Sequence, residues 1–216
     1  MKNKLIYAIV GILFLVSMGC SSNYTPKPKA YLRIGLPEKS YQNLQIDVLP
    51  CTFEYPQYAD VLSIPNVDDS TRKKAQTTIE FPSLNGTIYL TYGHLDSAQQ
   101  LYAYVDSSYQ MMFKIHEGML TGIMERTYED EEHHVYGVLY ELKGARVASP
   151  YQFYVTDRES HFLRGALYFH TEPNNDSLAP AINFLKEDIE HLMSTLRWHD
   201  KMGSSKEELN KTDFKN

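Results

Sequence analysis

Cysteine, tryptophan, basic charge and long apolar runs are all scarce in this chain. Of its 216 residues only two are cysteine and one is tryptophan. Two cysteines allow at most a single disulfide, the use an exported protein would normally make of them. Basic residues number 21 against 27 acidic ones, for a net charge of −6. Such a surface is poorly suited to gripping nucleic acid or anionic lipid headgroups by charge, so no nucleic-acid partner is expected. Motifs for chemistry are missing as well. There is no phosphate-cradling glycine loop, no His-Glu-x-x-His helix, no cysteine pair at metal spacing and no Gly-x-Ser-x-Gly elbow. No cofactor is expected.

What is present begins at the first residue. Lys2 and Lys4 give a positive start, Leu5 to Val16 is an apolar core, and Ser17-Met18-Gly19 places small residues before Cys20. An apolar stretch of about a dozen residues falls short of the roughly 20 a membrane-spanning helix needs. The layout is that of a cleaved export signal. A cysteine just past the cleavage point makes it a bacterial lipoprotein signal, although Ser17 stands where an aliphatic residue is usual. Residues 1–19 would be removed, and Cys20 would carry the lipid that anchors the protein. The alternative is an ordinary secretory leader cut elsewhere. If Cys20 is acylated, Cys51 has no partner and reads as a small buried hydrophobe. Cleavage also removes two basic residues and no acidic one, so membrane attachment must come from lipid.

Residues 20–30 are polar with two spaced prolines, an extended tether, and residues 31–200 read as a single α+β domain. Strands are expected at Tyr31–Ile34, Phe53–Tyr55, Thr77–Phe81 and Gly86–Tyr92, with a turn at Asn85-Gly86 and a loop from Pro65 to Lys74. In Gly86–Tyr92 the residues Ile88, Leu90 and Tyr92 alternate with Thr87, Tyr89 and Thr91, the pattern of a half-buried strand. A helix is expected from Asp96 to about His116, with Leu101, Val105, Met112 and Ile115 inward, capped by Asp96 or Ser97 and ended by Gly118. An antiparallel meander follows: Thr121–Tyr128, His134–Leu142, Arg146–Thr156 and His161–Thr171. The last helix is capped at Asp176-Ser177, takes Pro180 in its first turn, buries Ile182, Leu185, Ile189, Leu192, Met193 and Leu196, and ends near Trp198. Two helices among and after runs of strands make an antiparallel sheet with helices packed on it. Residues 201–216 are charged and without apolar periodicity, a disordered tail. Seventeen tyrosines against nine phenylalanines hint at a sheet face used for binding.

Two clusters merit weighing as sites. Glu129 to His134 combines carboxylates with imidazoles, but neighbours on a strand point to opposite faces and a charge run between strands is usually a solvated turn. No metal site is expected there. A triad drawn from a serine, His161 or His170, and Asp157 or Asp176 has no geometry fixed by the sequence. Arg33 and Arg164 interrupt apolar strands. Each either lays its stem on neighbouring tyrosines at the solvent face, pairs with a buried carboxylate, or meets a protein partner. With Tyr168, they are the candidate partner contacts.

Longer segments carry a resemblance. The run Tyr24 to Pro28 into Tyr31-Leu32-Arg33-Ile34, then Phe53-Glu54-Tyr55-Pro56, Gly86 to Tyr92, and above all Gln152 to Asp157, His161 to Phe169 and Asp176 to Pro180 resemble the GldD family of gliding-motility lipoproteins of the Bacteroidota. The similarity runs from about Tyr24 to Trp198. It implies a non-enzymatic cell-envelope lipoprotein needed for gliding and for the associated type IX secretion machinery, acting as a periplasmic scaffold or accessory subunit among other envelope proteins. It brings no catalytic residues. No acidic residue lies between Cys20 and Glu38, whereas surface-exported lipoproteins of that phylum carry acidic residues directly after the cysteine. A periplasm-facing domain is therefore expected, on the outer membrane rather than the inner. More faintly, the strands and final helix resemble the PsbP and Mog1 type of α+β domain. The competing functional reading is a ligand-binding or hydrolytic lipoprotein acting on envelope glycan or lipid, which requires a pocket with converging polar groups.

Overall fold

Alternating apolar and polar residues build a seven-stranded antiparallel sheet in the computed structural model, which describes residues 35–64 and 74–199. Its strands are β3 (Asp60–Ile64), β4 (Lys74–Phe81), β5 (Gly86–His94), β6 (Gly122–Asp130), β7 (Val135–Lys143), β8 (Tyr151–Thr156) and β9 (His161–Phe169), in the order β3-β4-β5-β9-β8-β7-β6. A second sheet orders β1 (Tyr41–Leu44), β2 (Cys51–Pro56) and the two-residue β10 (Arg197–Trp198) as β1-β2-β10. Helix α1 spans Ala98–Ile115 and α2 spans Asn175–Thr195. The fold is α+β, as the sequence suggests. No described helix is long and apolar enough to cross a membrane. Cys20, Arg33, the expected leader, tether, Tyr31–Ile34 strand and tail lie outside the described residues, as does the expected Pro65–Lys74 loop except for Lys74, which already belongs to β4.

The main core lies between one face of the large sheet and α2. Ile79, Ile88, Leu90, Phe153, Leu163 and Leu167 point to this face, and Ile182, Leu185, Ile189 and Leu192 meet them from the helix. Side chains two apart along a strand share a face, and those at three- and four-residue spacing share a helix stripe, so the two patterns close on each other. Phe53 and Cys51 of β2 join the same core. Gly165 marks its tightest point, because a Cβ there would lie 2.2 Å from the Phe153 ring across the β8–β9 pair. Only glycine lets that ring lie flat on the neighbouring strand.

Asp188 interrupts the α2 stripe at 2% exposure. Its carboxylate accepts from Lys39 Nζ at 2.7 Å, from Tyr41 Oη at 2.8 Å and from the Tyr58 hydroxyl. Lys39 also lies 4.1 Å from the centre of the Phe184 ring. The network ties the described N-terminal segment and the small sheet to the last helix. It was missed in the sequence, although an acid three residues after Leu185 and four before Leu192 lies on the apolar stripe.

Several expectations need correction. The helix expected to begin at Asp176-Ser177 is capped by Asn174, whose side chain accepts from Ser177 N. Pro180 therefore falls beyond the first turn, inside the helix. The helix stops at Thr195, and Arg197–Trp198 then turns into strand and pairs with Thr52 and Cys51. Residues 146–150 are not strand; β8 begins at Tyr151, after Pro150, whose ring nitrogen cannot donate to a ladder. Strands β1 and β3 were not foreseen. In α1, Ile115 is 42% exposed and only Met112 is buried. The helix docks through Tyr104, Ser108, Met112 and His116, one turn apart, because Tyr104 fits over Gly93 and beside Phe162.

Candidate functional site

The second face of the large sheet is covered only in part. Register places Thr91 opposite Arg164, Tyr154 opposite Arg164 on the other side, Tyr89 opposite Ala166 and Thr87 opposite Tyr168, all on this face. Towards β7 and β8 it is closed by α1, where Met112, Tyr140, Leu142 and Val147 form a small second core with Tyr154 and Val138 against it. His116 seals the end of that helix at 0% exposure. Its Nδ1 donates to Met112 O and its Nε2 accepts from Ser149 N, which fixes the tautomer. Nothing in the sequence flagged this residue.

Towards β3, β4 and β5 the same face is open in part, although Thr78 and Thr87 on it are buried. Tyr89 is 44% exposed and Leu62 50%, and Gln76 and Thr91 are exposed beside them. Tyr89 and Tyr168 meet edge to face, their ring centres 5.7 Å apart. Tyrosines suit a half-wet sheet face because the ring is apolar and the hydroxyl is not. Tyr168 is half-buried at the border of the open area.

Arg164 stands where the open and covered halves meet. It is half-buried, and it neither lies out in solvent nor pairs with a carboxylate among the described residues. Nη2 donates to Gln152 Oε1 at 2.7 Å and Nη1 to Met111 Sδ at 3.3 Å. Nε is buried without a partner, as is Nε2 of Gln152. Burial holds the guanidinium below the usual arginine range, with the nearby Tyr168 phenol acting in the opposite sense. Beside it runs a groove of about 330 Å³ between α1 and the sheet, lined by Lys74, Thr91, Tyr104, Met111, Phe162 and Arg164 among others.

The other sequence candidates are engaged locally. Asp157 accepts the backbone N–H groups of Glu159, Ser160 and His161 and so shapes the β8–β9 turn. His161 Nδ1 lies 2.8 Å from Tyr92 Oη, and its ring stacks on Trp198 at 5.0 Å. His170 Nε2 bonds Thr87 Oγ1 at 2.7 Å. No serine hydroxyl is seen to meet either imidazole among the described residues. In the Glu129–His134 segment, residues 131–134 form the β6–β7 turn. Asp130 accepts from the His133 backbone N–H and pairs with its Nδ1. Burial raises the Asp130 carboxyl, but the His133 bonds and Arg197 outweigh this and hold it below the usual carboxylate range. Among the described residues no group of three or more His, Cys, Asp or Glu is placed to hold a metal.

The family model for gliding motility lipoprotein GldD matches residues 21–198. Comparison with curated proteins gives no match. Among solved structures, the chain is similar to a cyanobacterial PsbP from Synechocystis, at 12% identity over 76% of this chain and 96% of that one, with a TM-score of 0.47. The family match spans both helices and all the described strands. The chain therefore belongs to the GldD family of gliding motility lipoproteins.

Proposed function

We propose that this lipoprotein is a non-catalytic scaffold or accessory subunit that holds components of the gliding apparatus, and of the associated type IX secretion machinery, through the uncovered half of its sheet. Family membership supports the setting, a lipoprotein at the cell envelope. The observation that carries the mode of action is the patch of exposed Tyr89 and Leu62, with half-buried Tyr168 at its border, on a paired antiparallel sheet. Tyrosine is enriched at protein interfaces, and a sheet presents it with little conformational entropy to lose. In this reading Cys20 carries the lipid, residues 20–30 hold the domain away from the bilayer, and the domain faces the periplasm, on the outer membrane rather than the inner. Arg33 and Arg164 belong to the contact set with Tyr168.

The test is a strain carrying Tyr89→Ser together with Tyr168→Ser in place of the wild-type gene. Colony spreading is expected to fall sharply at unchanged protein level. A deletion strain that glides and secretes normally would contradict the reading. Protease treatment of intact cells checks the placement: the domain should survive until the outer membrane is opened. The groove beside Arg164 favours the ligand-binding form of the second reading over the hydrolytic one, since Ser108, the one lining serine whose bond is seen, gives its hydroxyl to Tyr104 O rather than to a base.

A further inference from the structure

Arg164 has an incomplete set of partners. A guanidinium carries five N–H donors, and here two are engaged, one by a neutral amide and one by a thioether, which is a weak acceptor. A cation withdrawn from water without a counter-charge is costly, and the strongest compensation is a carboxylate bound in fork geometry. The fold spends further stability on the arrangement: Gln152, at 3% exposure, turns its carbonyl to Arg164 and leaves its own amide N–H groups unpaired. Gln152 thus acts as a positioning residue, holding the guanidinium against the groove.

The groove has the complementary charge. In a chain of net charge −6, none of the described residues lining it is acidic, and Arg164 lies on its floor. Its walls are apolar: Tyr104 and Phe162 rings lie 5.4 Å apart, and Met111 is 44% exposed over the guanidinium. Met111 is a long, flexible side chain that yields its place readily.

We propose that this groove is a carboxylate-binding site: the Arg164 guanidinium receives the carboxylate in place of the Met111 sulfur, and the apolar body of the ligand lies against Tyr104 and Phe162. The volume admits a group about the size of one amino-acid residue, at the small end of known ligand pockets. The same chemistry is offered by a free aromatic carboxylic acid and by an acidic side chain of a polypeptide. This assignment rests on the ligand-binding reading of the groove and shares only Arg164 with the scaffold's contact set.

The test uses the full chain and follows the Arg164 side-chain Nε–H and the surrounding amides by NMR. The probes are N-acetylphenylalanine, its neutral amide, and an end-capped peptide with an internal Glu-Phe pair. The carboxylate is expected to shift the Arg164, Tyr104 and Phe162 signals, and the neutral amide to bind about ten-fold more weakly or worse. A preference for N-acetylphenylalanine marks a small-molecule site, and a preference for the peptide marks a polypeptide one. Arg164→Gln should abolish the shifts. Because that variant could also disturb the sheet, Thr91→Glu provides the independent check, since it sets a carboxylate on the strand position directly opposite Arg164. It should raise the melting temperature and block the probe. Equal binding of acid and amide, no binding of any probe, or full binding by Thr91→Glu would overturn the assignment.

Discussion

Replacing Asp188 with alanine tests the idea that a buried charge fastens the small sheet to α2. The carboxylate is 1% exposed and accepts three hydrogen bonds, from Lys39, Tyr41 and Tyr58. Bonds to a charged group contribute roughly 1.5–3 kcal/mol each, but burying the carboxylate costs several kcal/mol in return. Losing one member of a buried ion pair usually costs about 3–5 kcal/mol. The value here should sit at or just below the low end of that range, because Lys39 is 23% exposed and keeps Glu187 at 3.2 Å and Phe184 O at 2.8 Å. We expect about 3 kcal/mol, a large share of the roughly 5–15 kcal/mol of a typical domain. Urea unfolding followed by the single tryptophan, which stacks on His161, measures it. Hydrogen exchange should show the loss first in Tyr41–Leu44 and its pairing with β2. The double change Lys39→Met with Asp188→Leu removes both charges and should recover most of the stability. A cost below about 1 kcal/mol for Asp188→Ala, or a double variant as unstable as the single one, would mean that this charge does not fasten the small sheet to α2.

Gly165→Ala should destabilise the fold by about 1–3 kcal/mol, since its Cβ would meet the Phe153 ring at 2.2 Å, and urea unfolding of that variant checks it. Stability should also fall at high pH. Burial above all, with Asp188 beside two of them, raises Tyr41, Tyr58, Tyr92, Tyr140 and Tyr151 above their ordinary 10.0. A phenol raised in the folded state lends its full stabilisation below the unfolded pKa and loses it as pH climbs towards the folded value. Phenolate absorbance should therefore appear partly late and together with loss of the folded signal, whereas a single titration near 10.0 with the fold intact would contradict this. Burial pushes the Cys51 thiol up to about 12, so a thiol reagent at neutral pH should modify it only at the rate of unfolding, and rapid labelling of the native protein would count against its place in the core.

Local periodicity made β5 and α2 legible from sequence. Ile88, Leu90 and Tyr92 alternate with polar neighbours, and α2 repeats its apolar positions every three to four residues, so each element announces its buried face. Thr87 broke the first pattern: it is 1% exposed, covered on the face expected to be wet. The docking stripe of α1 was misjudged because its inward side mixes tyrosine, serine, methionine and histidine, which hydrophobicity alone does not mark. What makes that side inward is Gly93, distant in sequence, over which the Tyr104 ring lies. Likewise β1 and β10 are short and pair only with β2, a contact that no pattern within them announces. Arg164 could be singled out as an arginine inside an apolar strand. Its partners Gln152 and Met111 come from another strand and a helix, 12 and 53 residues away, and no local pattern predicts them.

Crosslinking in living cells distinguishes the uncovered half of the sheet from the rest of the surface as the place where this lipoprotein holds its partners. A photo-reactive amino acid at position 168 in β9 is compared with one at position 187 on α2, where Glu187 has a side chain 65% exposed. If the uncovered half of the sheet holds the partners, position 168 captures one or a few envelope proteins of the gliding and secretion apparatus while position 187 captures none of them. Capture of the same proteins from position 187 and not from position 168 would contradict it.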